Sequence, residues 1–120
     1  MFACILIFSS CQEVKQNNFM DKIKFDMDAI DEHGLEIGSE KKSSVYYQFC
    51  MPYSDSLALV VFKIEPALDV YKDVAGEIAC TENQMLCMGH THPNNWKLKL
   101  INLAKLPYVG DIKRVSYTLN

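Results

Sequence analysis

The chain has 120 residues, 12 Lys+Arg against 15 Asp+Glu, 49% hydrophobic residues and 22% charged ones. That length holds one core-forming domain and leaves no room for a second, and the apolar fraction excludes a disordered tail. A net charge of −3, with no basic block longer than Lys41-Lys42, argues against nucleic acid as a partner, and no stretch approaches the ~20 apolar residues of a membrane-spanning helix.

Met1 to Cys11 reads MFACILIFSSC: an apolar run from Phe2 to Phe8, two serines, then a cysteine. Small residues just ahead of a cleavage point mark a secretory signal. The phrase Phe8-Ser9-Ser10-Cys11 resembles a bacterial lipobox, which implies cleavage before Cys11 and acylation of that cysteine with palmitate-type chains. Phe8 stands where the pattern usually has Leu, and no Lys or Arg precedes the apolar run. A start site placed downstream of the true one accounts for both the missing basic end and the shortness of the run. The competing reading is a buried first strand over Phe2 to Phe8. The resemblance implies a lipoprotein of the bacterial cell envelope. Residues 1–10 are its signal peptide, Cys11 its membrane anchor, and the domain faces the periplasm or the exterior. Several acyl chains would hold it stably, where one would hold it only marginally.

Residues 11–43 read as a tether and irregular cover. Phe19, Ile23, Met27 and Ile30 fall at helical spacing, and Gly34 and Gly38 interrupt it. Residues 44–120 then carry an α+β domain. Val45, Tyr47, Phe49 and Met51 alternate with Ser44, Tyr46, Gln48 and Cys50, which predicts a strand ending at Pro52. Ser54 or Asp55 can cap a helix over Leu57, Val60, Val61 and Ile64, closed by Pro66; the β-branched content of LALVVFKI keeps a strand as the alternative. A short strand is expected near Leu68–Tyr71. Ile78–Cys80 and Met85–Met88 flank the polar turn Thr81–Gln84, which predicts a hairpin. Pro93 opens a helix whose stripe is Trp96, Leu100, Leu103 and Ala104. Ile112, Val115, Tyr117 and Leu119 predict a last strand. The order is that of a ferredoxin-like βαββαβ plan, an antiparallel sheet with two helices on one face.

Cys4 leaves with the signal and Cys11 takes the lipid, so Cys50, Cys80 and Cys87 remain. Thiols of an exported protein tend to pair. Cys80 and Cys87 face each other across the predicted hairpin, which makes them the expected disulfide and Cys50 the odd thiol. An alternative reading gathers Cys50, Cys80, Cys87, His90 and His92 around a metal, because thiolate, thioether and imidazole suit Cu(I), and thiolate with imidazole suits Zn(II). The spacing matches no established metal signature. A second alternative is a cysteine-dependent enzyme pairing Cys87 or Cys50 with His90, though no motif supplies the third, orienting group.

Asp26-x-Asp28-x-x-Asp31-Glu32 fails as a calcium loop, because Ile30 and Ile37 stand where oxygen ligands are needed. It reads instead as a solvated acidic face. Tyr46, Tyr47 and Phe49 are aromatics that a ferredoxin-like RNA binder would use, but the acidic balance opposes that. The phrases Tyr47-Gln48-Phe49-Cys50-Met51-Pro52, Gly76-Glu77-Ile78-Ala79-Cys80 and Leu86-Cys87-Met88-Gly89-His90-Thr91-His92, with Asn95-Trp96, resemble a group of small uncharacterised bacterial proteins. The resemblance spans about Tyr46 to Val115 and brings no assigned activity. It implies that Cys50, Cys80, Cys87, Thr91 and His92 form one motif set. The expectation from the sequence is therefore a lipid-anchored envelope protein with a binding or structural domain. Its partner would be a protein or a small molecule, and no cofactor or catalysis is assigned.

Overall fold

The alternating run after Ser44 forms strand β1, Tyr46–Pro52, in a computed structural model that describes residues 18–38 and 43–115. It lies at the centre of a sheet. On one side β1 pairs antiparallel with β3, Gln84–His90, from Tyr46↔His90 to Pro52↔Gln84. On the other it pairs antiparallel with β4, Lys113–Val115. Strand β2, Asp69–Tyr71, flanks β3, so the four-stranded order is β2-β3-β1-β4. With helices α1, Asp55–Ile64, and α2, Trp96–Lys105, this makes a small α+β fold.

Directly paired residues share a sheet face. Tyr47, Phe49 and Met51 therefore stand with Gly89, Cys87 and Met85. That face forms the core together with Ala58 and Val61 of α1 and Leu100, Leu103 and Ala104 of α2. The LALVVFKI segment is helical. The Ser54 hydroxyl accepts a bond from Leu57 N at 3.3 Å to start it, and Glu65 N donates to Val61 O at 3.0 Å to end it. The β-branched side chains fit because one stripe suffices for the core, while Leu59 and Val60 point outward. Glu65 is only 2% exposed; its carboxylate accepts Ala67 N at 3.1 Å and meets Lys99 Nζ of α2 at 3.7 Å. A charge that deep is tolerated only with such partners.

Residues 18–38 lie on this core as irregular cover, with single 3-10 turns at Asn18–Lys22 and Met27–Ala29. Phe25 stacks on Tyr47 with ring centroids 6.3 Å apart, Ile23 bridges Ile112, and Lys22 Nζ donates to Leu106 O at 2.9 Å. Arg114 grips Glu36 with two bonds of 2.9 and 2.7 Å, which hold that carboxyl below its ordinary range.

Three local expectations need correction. Ile78–Cys80 is not a strand: β3 has β2 as its hairpin partner, with Tyr71 opposite Leu86. The long connection from Lys72 to Asn83 instead crosses the opposite sheet face. There Ile78 N donates to the buried Gln48 Oε1 at 3.3 Å, and Gly76, at φ +72°, leaves room for the Leu86 side chain. Helix α2 begins at Trp96 and not at Pro93, because Asn95 sits in left-handed backbone at φ 60° and interrupts the helical path. The first strand starts at Tyr46, two residues after Ser44. The positions Tyr117 and Leu119 of the expected last strand lie outside the described residues.

Candidate functional site

The disulfide joins Cys50 to Cys80, with Cα atoms 5.6 Å apart, and Cys87 is the free thiol among the described residues. This corrects the expected Cys80–Cys87 bridge. Strand parity explains the difference. Cys87 lies opposite Phe49 on the helix-covered face, whereas Cys50 lies opposite Leu86 on the other. The connection bearing Cys80 runs over that second face, so Cys80 meets Cys50 and never faces Cys87. Because Ile78–Cys80 is no strand, the geometry that would have paired it across a hairpin does not exist.

The five-donor metal set is not assembled either. Cys50 and Cys80 are spent on the bridge, and Cys87 is on the far side of the sheet. Among the described residues no group of three or more His, Cys, Asp or Glu side chains is placed to hold a metal. His90 and His92 do stay together, with ring centroids 6.1 Å apart, and His90 Nδ1 accepts the His92 backbone N–H at 3.3 Å. Tyr46 continues this short aromatic row, 5.7 Å from His90. The proposed lipid carrier, Cys11, lies outside the described residues.

Between the two histidines, Thr91 points inward and is fully buried. Its hydroxyl accepts Val45 N at 2.9 Å and donates to Gly34 O at 2.6 Å. The side chain thus ties the start of β1 and the 31–34 turn to the end of β3. Its role is structural, since each backbone group would cost about 1–3 kcal/mol if buried unpaired.

Cys87 offers no nucleophile for the enzyme reading. It is fully buried, and burial pushes its thiol up to about 12. Thiolate, the reactive form, is therefore scarce at neutral pH. The linkage follows in sign: a folded-state value raised above the ordinary one near 9 gives stability that is complete below pH 9 and lost as pH rises toward 12. Urea unfolding between pH 8 and 10.5 is expected to show this thiol's contribution falling by about 1.4 kcal/mol per pH unit above 9. Comparison with Cys87→Ala isolates it, because that variant lacks the ionisable group; identical pH profiles for the two proteins would refute the assignment.

Beyond the cysteines and histidines, the structure shows a surface trench that the sequence reading missed. One hollow of about 520 Å³ lies between the Ile30–Glu32 turn and the head of α2, lined also by Trp96, Lys97, Leu98 and Ile101. A second, of about 310 Å³, continues from Lys97 and Ile101 to Met20, Phe25 and Asp28. The Trp96 indole N–H donates to Asp31 O at 3.0 Å and fixes the turn against α2. In the sequence Trp96 reads as core and Asp26 to Glu32 as a solvated face. Only the fold brings the two stretches together. No family model, curated protein or solved structure matches the chain.

Proposed function

We propose that this chain is a lipid-anchored protein of the bacterial cell envelope, held at the membrane through acylated Cys11 and facing the periplasm or exterior. Its domain is a ferredoxin-like βαββαβ unit that works by binding a protein or small-molecule partner and carries out no chemistry of its own. The element order, with α1 between β1 and β2 and α2 between β3 and β4, and the strand order β2-β3-β1-β4 support that plan. The observation that carries the functional reading is the Cys50–Cys80 bridge. Structural disulfides persist in oxidising compartments, so the bridge agrees with export signalled by the lipobox-like N-terminus. The one free thiol among the described residues is buried and inert, which favours binding over catalysis.

Intact mass of the protein extracted from native membranes, with and without reductant, tests this. The expected species begins at Cys11, carries two or three acyl chains, and gains one pair of hydrogens on reduction. A chain still carrying Met1, without acyl groups and with all its thiols alkylated before reduction, would refute both export and anchoring.

A further inference from the structure

We infer that the trench along α2 docks a segment of a partner protein that alternates basic and aliphatic side chains. The inference rests on reading the domain as a binding module and adds where it binds and what. The two hollows share Lys97 and Ile101, so they lie side by side along α2. Its apolar surface includes Ile101 and Leu98, the latter 59% exposed at a site where a helix would usually present a polar residue. Its charged lining is lopsided. Among the described residues that line it, Asp26, Asp28, Asp31 and Glu32 stand with one cation, Lys97, which Asp28 holds at 3.4 Å on an open, easily parted contact.

An apolar floor under a carboxylate rim suits Lys and Arg, whose stems cover apolar surface while their heads meet the charges. The acidic bank is also fixed in advance. Asp31 Oδ1 accepts the His33 and Leu35 backbone N–H groups, both at 2.9 Å, and Trp96 holds the same residue's carbonyl. A preformed bank lowers the ordering cost of binding. The same charge pattern disfavours the other occupants. A second copy would bring an identical acidic strip, and an anionic membrane would repel it.

Trp96 is the sole tryptophan of the chain, so its emission reports directly on the trench. The experiment titrates the full chain with a Lys/Leu-alternating nonapeptide, a Glu/Leu counterpart and a Lys/Ser counterpart. Saturable, salt-sensitive change is expected with Lys/Leu alone. The double variant Asp28→Lys, Glu32→Lys is expected to weaken it about tenfold or more, and Leu98→Ser to weaken it as well. Leu59→Ser, on the outward face of α1, should leave it unchanged. Equal binding of the Glu/Leu peptide, or equal loss in Leu59→Ser, would overturn the assignment. So would concentration-dependent dimerisation that Glu32→Lys strengthens, or binding to anionic vesicles in place of peptide. Because the mass measurement reads anchor and bridge independently, a failed titration on an acylated, bridged protein condemns the trench alone.

Discussion

Replacing Gly34 with alanine is expected to cost about 3 kcal/mol or more of stability, while the same replacement at Gly38 costs only about 1 kcal/mol. The two glycines share one backbone conformation, φ +81°, so the left-handed strain imposed on a side chain is alike. Their surroundings differ. A Cβ on Gly38 would meet nothing within 4 Å, whereas one on Gly34 would fall on the Thr91 carbonyl group. The atom it meets is backbone, fixed at the end of β3, and cannot swing aside as a flexible side chain would. Gly34 also gives its carbonyl to the Thr91 hydroxyl, so displacing the turn opens a buried bond and loosens the Asp31–Trp96 contact beside it. Urea midpoints of the two variants, read with the Trp96 emission, check the difference. Equal costs at both positions would mean that the 31–34 turn is not seated on Thr91 as described.

Removing the bridge with Cys50→Ala and Cys80→Ala together is expected to destabilise by about 3.5 kcal/mol, from the chain entropy of a loop closed over a sequence separation of 30. For a domain of this size that lowers the urea midpoint by roughly 2 M. The loss should be uneven. Besides the bridge, the connection from Lys72 to Asn83 is tied down by the Ile78 N to Gln48 Oε1 bond at 3.3 Å and, at its end, by Tyr53 N donating to Asn83 O at 3.1 Å. Its amides should exchange with solvent much faster in the double variant, while those of α2 keep their protection until global unfolding. An unchanged midpoint would show that Gln48 and the Leu86 contacts hold the connection without the covalent link.

Much of the fold was legible because it rests on local pattern. Period-two alternation located β1, a serine cap and an apolar stripe located α1, and the spacing of Trp96, Leu100 and Leu103 located α2. The long apolar run of β3 was visible too, since a strand buried on both faces reads as continuous hydrophobicity. What remained hidden depended on which distant segment covers each face. The second sheet face is covered by the 72–83 connection, and no local signal says that a polar, turn-rich stretch will lie over Gln48 and Leu86.

The sequence by itself determined the α+β class, the approximate places of β1, α1, β2, β3 and α2, and the small set of thiols and imidazoles worth testing, because propensity and periodicity act over neighbouring residues. Only the tertiary structure decided which cysteines bond, since strand parity sends Cys50 and Cys87 to opposite faces and the crossing of a loop brings Cys80 to the first. It likewise decided that Thr91 is a buried tie between two outward histidines. It also joined Asp31 and Trp96, 65 positions apart in the chain, into one wall of a trench. Each of these outcomes turns on contacts between residues distant in sequence, which the compaction of the chain creates and no local run of residues encodes.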